Sequence, residues 1–399
     1  MVTKDDHRDA RSGAPLRTAA IAQQLQDDVG DLDVVSRWKV PTIRTHDDRQ
    51  IVPPPPVAVM VAYLRVLFTS LPYFCPEVRH RISFDMVRKI VALNRDRDYA
   101  VTIIEFSTLL VYRKILRGAV ILDMHNVESA LMANYERTLS RPRSITEMRH
   151  RIWVRWNVWG LTRLESRIGR FTNHMALVSE TDEVLISKLM GKRGNVQCVV
   201  APNGVTDRAF EYETPRSETV VFVGYLGWAP NSDASTWLVN EVWPEVVRRR
   251  PSAKLQLVGR EPGERVFALA NESVSVHPDV PDVMPYVGGA TVATAPLLAA
   301  GGTRLKILEA LGAGTPVVST SMGALGLEHL EGAQLRIADD PLAFADEIVE
   351  ILTAGVTRER ESAVRVLAEP YRWRNALRPL TELVEALSGT VDVPANEAR

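Results

Sequence analysis

The chain has 399 residues, 46% of them hydrophobic and 24% charged, with a net charge of −1. That length exceeds what one hydrophobic core fills, so two domains are expected, and the balanced charge gives no footprint for nucleic acid. Only Cys75 and Cys198 are present, without a CxxC pair, which argues against a disulfide framework or a zinc site and for a reducing, cytoplasmic setting.

The first fifteen residues are polar and form no secretory leader. A helix is predicted from about Pro15, with Ser12 and Gly13 as the end of a turn, yet no apolar strand precedes them. The first strand of an open parallel sheet is usually central, so its loss would leave its neighbours without ladder partners. The expectation is therefore a missing first strand, with either a true start upstream or a compromised domain, the misplaced start being favoured. Residues 33–36 read as a weak strand, Pro53 to Pro56 as a rigid polyproline II loop, and 84–94 as a helix. Residues 100–105 and 120–124 are nearly continuous apolar strands, the pattern of a parallel sheet buried on both faces. Asp96 and Asp98 read as a solvated turn rather than a metal site.

The second of these strands ends in Asp123-Met124-His125-Asn126-Val127-Glu128. Ligands of open α/β sheets collect at the carboxyl ends of strands, which puts His125 and Asn126 where a site is expected. Glu128 is read as capping or pairing within the following helix. The segment from Arg141 to Arg170 carries eight arginines against two acids, with Trp153, Trp156 and Trp159 among its apolar residues. Such a basic, aromatic, amphipathic helix can lie on an anionic membrane surface. The favoured reading is a long helix with its tryptophans in the core and its arginines in water.

Strands are expected at 175–179 and 196–200, the latter followed by Pro202-Asn203-Gly204-Val205 and a polar link. The βα rhythm then restarts with a strand at 219–223, a loop from Gly224 through Gly227 to Asn231, and a helix from Ala234 kinked at Pro244. A strand at 254–258 closes on Gly259 and Arg260, and another spans 273–277. Arg260 fits either a phosphate contact or a cap on a solvent loop.

The most informative stretch is 299–320, AAGGTRLKILEALGAGTPVVST. Gly301 and Gly302 follow an apolar strand, Thr303 can cap a helix running from Arg304, and Gly312 stops it. Glycines at a helix N-terminus let a ligand approach N–H groups that carry the positive end of the dipole, which suits a phosphate. Gly302, Lys306 and Glu309 recur at spacings of four and three and so share one face. Lys306 sits within reach of a diphosphate, and Glu309 lies roughly 4.5 Å further along the axis, placed for a ribose diol. The plainer alternative is a solvated Lys306–Glu309 pair on an ordinary amphipathic helix.

These residues resemble the donor-site signature of the retaining GT-B-fold glycosyltransferases of family 4. The family shows two glutamates separated by seven residues, then a Gly–x–Pro–Val–Val run, which stands here within Ala313 to Val318. Glu309 matches the second glutamate, which implies a ribose contact; Gly301 stands in place of the first. The His125-Asn126-Val127-Glu128 run is similar to the family loop whose histidine reaches toward the donor sugar. The 224–231 loop resembles the one over the donor phosphates, implying a backbone N–H at Gly224 or Gly227, and 278–283 the segment touching the base.

The expected architecture is α/β: GT-B, with two Rossmann-like doubly wound domains facing a cleft. The expected boundaries are an acceptor domain at 1–206, a linker at 207–218 and a nucleotide-sugar domain at 219–365. A C-terminal helix at 366–387 would pack back on the first domain, and 388–399 would form a disordered tail. The resemblance implies transfer of a hexose from a nucleotide sugar to a saccharide, lipid-linked or secondary-metabolite acceptor, without metal or further cofactor. Gly301, Gly302 and Thr303 would hold the diphosphate and Glu309 the ribose. Arg304 and Lys306 would offset leaving-group charge, while His125 and Asn126 orient the sugar. The rivals are an epimerase or hydrolase of the same fold and a non-catalytic nucleotide-sugar-binding protein. An NAD-dependent oxidoreductase is disfavoured, because no GxGxxG follows a strand. The location expected is cytoplasmic, with peripheral contact to the inner membrane face through 141–170.

Overall fold

Near-continuous apolar runs become the strands of two six-stranded sheets in which every pair is parallel. The computed structural model describes residues 1–3, 13–30, 32–36, 53–139, 141–142, 144–191, 196–211, 217–298, 304–332, 334–355 and 357–389. Two units divide between Ala201 and Pro202, ahead of the 207–218 link, and the chain from Leu377 is grouped with the first. Within that link Asp207–Phe210 is a short helix and 212–216 lie outside the described residues, as do 390–399 of the tail.

The first unit holds β1 (Val2–Thr3), β2 (Val35–Ser36), β3 (Val101–Glu105), β4 (Ala119–Met124), β5 (His174–Leu177) and β6 (Gln197–Val200), ordered β2-β1-β3-β4-β5-β6. The missing strand is thereby corrected. Val2 pairs with both Val35 and Ile104, Thr3 pairs with Ser36, and Val35 N–H donates to Met1 O at 2.8 Å. Two residues are too few to show any periodicity, so the strand is invisible to pattern reading. The turn after it, including Ser12, lies outside the described residues, and the first helix runs Gly13–Val29.

A helix at Pro56–Ser70 went unread in the sequence because it is apolar on nearly every side. The polyproline geometry persists to Pro55 (φ −56°, ψ 137°), but Pro56 opens the helix, where its absent N–H costs nothing. A second correction concerns the Ile145–Glu165 helix. Its inner face is Val154, Asn157, Leu161 and Leu164, all buried, so Trp156 and Trp159 face outward instead of the core. Gly160 brings this helix against Cys75: a Cβ there would lie 2.5 Å from the Cys75 Cβ.

Glu165, not Glu128, caps the Glu128–Thr138 helix. Its carboxylate accepts from the N–H groups of Glu128 and Ser129, at 3.0 and 3.1 Å, and from both Ser107 and Ser129 hydroxyls. Burial pushes this carboxyl up to about 7, and the serine donors oppose that rise. Glu128 occupies the first helical position itself.

The second unit holds β7 (Ser217–Tyr225), β8 (Lys254–Arg260), β9 (Val274–Pro278), β10 (Ala290–Ala295), β11 (Val317–Ser319) and β12 (Leu335–Ile337). Their order, β12-β11-β10-β7-β8-β9, reverses between β7 and β10 and is the doubly wound Rossmann order. Alternate residues serve opposite faces: Val220, Phe222, Val292 and Val318 pack on one side, Val221, Ala293 and Val317 on the other. The second face is covered by Ile307, Leu308 and Leu311. The helix after β7 starts at Ala229, five residues earlier than expected, and passes through a π-turn at Leu238–Val242 just before Pro244.

Candidate functional site

In the second unit the switch point between β7 and β10 meets the N-terminus of the Leu305–Gly312 helix. Arg304 occupies the cap position in extended geometry and makes no side-chain cap, so Thr303 stands one residue too early to be the N-cap. Gly301, Gly302 and Thr303 lie outside the described residues.

Lys306 and Glu309 share one half-buried face, as the spacing predicts. They do not form the solvated pair of the plainer reading. Lys306 Nζ donates to Asn231 Oδ1 at 3.1 Å and sits 4.4 Å from the centroid of the Phe222 ring. Asn231 is itself held, its amide donating to Tyr225 O at 2.9 Å. Gly224 makes room for this contact: a Cβ there would lie 3.0 Å from the Asn231 amide and 3.1 Å from Lys306 Nζ. Burial drops Lys306 to about 7, with Arg304 adding to the fall and Glu309 opposing it. Burial likewise raises Glu309 to about 7, against the pull of Lys306 and with a push from Asp282. The result is a cation and a carboxylate on one wall, each short of the solvation its charge needs.

The β7 and β8 ends are locked together, since a Cβ on Gly259 would fall 1.7 Å from Gly224 O. Arg260 stacks its guanidinium 5.6 Å from the Tyr225 ring centroid. Its carbonyl accepts from both Leu226 and Gly227, at 3.0 and 3.3 Å. The Gly227 N–H is therefore spent inside the loop, which corrects the expectation that it serves a phosphate. Gly227 is needed instead for close approach, with Glu261 O 2.8 Å from where its Cβ would be. Asp282 caps Met284 N at 2.9 Å and pairs with Arg208 at 2.7 Å.

The first unit carries a separate polar cluster at the ends of β3 and β4. Arg17, fully buried, grips Asp123 with two bonds of 3.0 and 2.6 Å, and Thr18 donates to Glu105 at 2.8 Å. His125 Nε2 lies 3.2 Å from Asp123 Oδ2 and 3.5 Å from Glu105 Oε1, while Nδ1 has no hydrogen-bond partner among the described residues. The face of His125 packs 4.2 Å from the Phe106 ring, and Phe106 adopts φ +72°, a conformation rare outside glycine. Burial works against the charged imidazole, but the two carboxylates outweigh it and raise its pKa. Burial would likewise raise Asp123; Arg17 overrides it and holds that carboxyl well below the usual range. Glu105, Asp123 and His125 are spaced as metal ligands could be, yet both Asp123 oxygens already accept from Arg17. Asn126 follows half-buried.

Lys306, Glu309 and His125 stand out in the sequence, whereas Asn231, Arg17, Thr18 and Glu105, which the structure packs beside the two clusters, do not. Their partners lie 75, 106 and 87 residues away, beyond any local pattern.

Residues 217–354 match the family described as glycosyl transferases group 1. A curated relative, an uncharacterised 44.6 kDa protein in the cps region of Klebsiella pneumoniae, is 29% identical over 140 residues. That match covers 33% of this chain and 36% of the relative, so the chain spans about a third of it. Among solved structures, sucrose-phosphate synthase from Thermosynechococcus elongatus superposes with a TM-score of 0.66 at 16% identity, covering 97% of this chain and 98% of that one. HepE of Anabaena in complex with UDP and glucose gives 0.58 at 13%, with coverages of 96% and 98%. An E. coli structure described as trehalose-6-phosphate bound with UDP-2-fluoro glucose gives 0.56 at 11%, with coverages of 98% and 98%. The fold is thus α/β of the GT-B kind, with two Rossmann-like units.

Proposed function

We propose that the chain is a glycosyltransferase that binds a nucleoside-diphosphate sugar on its second unit and passes the sugar to a hydroxyl acceptor. The observation that carries this reading is the Lys306–Asn231–Gly224 arrangement. A lysine is held by a buried amide over a site cleared by glycine, at the switch point where α/β sheets bind ligands. A diphosphate would supply more of the negative charge that Lys306, lowered to about 7 by burial, is short of. The group 1 match over 217–354 supports sugar transfer by this unit.

The bond from the anomeric carbon to the β-phosphate oxygen breaks while the acceptor oxygen bonds to that carbon. The acceptor proton goes to the departing diphosphate. Lys306 and Arg304, with Gly301, Gly302 and Thr303, offset the charge that grows there, and Arg260 adds a further cation from β8. Because these groups supply the positive charge, transfer proceeds without a divalent metal. Glu309 accepts from the ribose hydroxyls. The first unit binds the acceptor, and the role of His125 and Asn126, orienting the transferred sugar, rests on the family resemblance. Retention at the anomeric carbon, by same-face attack, rests on the family resemblance alone, as does a hexose as the transferred sugar. We place the protein in the cytoplasm, consistent with two free cysteines.

With β1 present in the first sheet, a missing first strand gives no ground for the non-catalytic alternative. The epimerase or hydrolase alternative predicts turnover of the nucleotide sugar without an acceptor. Replacing Glu309 with alanine removes charge-assisted bonds of about 1.5–3 kcal/mol, so nucleoside-diphosphate affinity should fall roughly 10- to 100-fold. Calorimetric titration reads this directly, with the far-ultraviolet spectrum as a fold control. Unchanged affinity would remove Glu309 from the ribose site.

A further inference from the structure

The first unit presents two apolar stripes to solvent, on helices that meet at one end. Along Pro56–Ser70 and just beyond, Val57, Met60, Leu64, Phe68 and Leu71 recur at spacings of three and four, and Val57 and Phe68 are 74% and 69% exposed. Along Ile145–Glu165 the same spacing brings out Ile145, Met148, Ile152, Trp156 and Trp159, with Ile145 and Trp159 74% and 55% exposed. The stripes join where the Trp156 indole N–H donates to Phe74 O at 3.1 Å, the two rings 6.2 Å apart, and Arg163 donates to Pro72 O at 2.8 Å. The two stripes, joined through the Trp156–Phe74 contact, expose ten large apolar side chains, far more than scattered surface hydrophobes.

We propose that this face docks on an anionic phospholipid bilayer, with both helices lying in the interface plane. Charge selects that occupant. Arg149 and Arg163 continue the spacing of the tryptophan stripe, with Arg151 and Arg155 beside it and Arg65 on the other helix. The neighbouring acids are mostly engaged: Glu165 is buried at its cap, Glu77 pairs with Arg81, Asp85 with Arg88 and Lys89, and Glu136 with Arg155, beside exposed Glu147 on the long helix. A partner helix or second copy would gain little from arginines threaded through its contact, whereas lipid headgroups supply phosphates at that depth. Trp156, its N–H already satisfied, can turn its ring into the acyl boundary.

The 56–73 stretch is long and apolar enough to span a bilayer, at 18 residues and a mean hydropathy of 1.4. Val59 and Val66 are nonetheless packed in the first unit's core beside Met86 and Leu110. Spanning would strip that core, so the helix lies on the membrane rather than through it.

The test is co-sedimentation of the full chain with vesicles of phosphatidylcholine alone or with 30% phosphatidylglycerol added, at low and high salt. Binding should require the anionic lipid and fall with salt. The pair Arg149→Glu with Arg151→Glu should cut the partition coefficient at least about 30-fold, from roughly 1 kcal/mol per basic residue near the surface. The triple variant Phe68→Ser, Trp156→Ser and Trp159→Ser should abolish binding while far-ultraviolet spectrum and unfolding midpoint stay native. Equal binding to neutral vesicles, or none to either, would overturn the proposal. So would a stable dimer that the triple variant converts to monomer, since the face would then belong to a second copy. None of these readouts depends on which reaction the second unit performs.

Discussion

Replacing Lys306 with methionine lowers the rate of sugar transfer by about 10²–10³-fold, the usual consequence of removing one preorganised charge from a leaving group. Methionine keeps the length and the contact with the Phe222 ring but loses the cation and its bond to Asn231 Oδ1. Arginine should not rescue it, because Gly224 and Asn231 leave no room for a planar guanidinium where Nζ now sits. The same substitution has a signature in pH. With Lys306 lowered to about 7, an anion that binds it favours the protonated form, so affinity for a diphosphate falls as pH rises above 7. Glu309, raised to about 7, loses acceptor strength as pH falls below that value, so wild-type affinity peaks near neutrality. In Lys306→Met the alkaline decline disappears and the acid decline remains. A variant with wild-type transfer and an unchanged pH profile would remove Lys306 from the diphosphate site.

The second large effect is on stability. Arg17→Met leaves Asp123 buried without the guanidinium that neutralises it, an uncompensated loss of about 3–5 kcal/mol. The sign with pH distinguishes this from simple cavity formation. In the wild type Asp123 is held below its unfolded value, so its contribution is present above roughly pH 4 and is lost as pH falls through the lower folded value. His125 works the other way: its pKa is raised, so its contribution is present below its unfolded value and fades as pH rises through the folded one. Without Arg17, burial takes over and raises Asp123, so the variant should close part of the stability gap between pH 7 and pH 4. Urea denaturation at several pH values measures this; a gap that does not change with pH would mean that packing, not charge, makes Arg17 matter.

What could be read in advance followed the reach of each interaction. The strands β3, β4, β7, β8 and β10 announce themselves because a parallel strand buried on both faces needs an unbroken apolar run. Lys306 and Glu309 were legible because one helix turn puts them together whatever the rest of the chain does. Asn231 and Arg17 were not, since only the sheet topology brings them to Lys306 and Asp123. The two-residue β1 and three-residue β12 show no detectable period, and β2, also two residues, is legible only as a weak strand. The tryptophans of the long helix are illegible for a different reason: bulk alone does not say which face of a helix is buried. The inner face there belongs to Val154, Asn157, Leu161 and Leu164, and Gly160 leaves no space for larger side chains against Cys75.

The proposed nucleoside-diphosphate site on the second unit has a simple signature, nucleotide binding that needs no metal. The most direct measurement is isothermal titration of the purified full chain with UDP, GDP and ADP, each with and without magnesium. Saturable binding of one of the three is expected, unaffected by the metal and weakened by Glu309→Ala. Binding of none of them, or binding that requires magnesium, would contradict it.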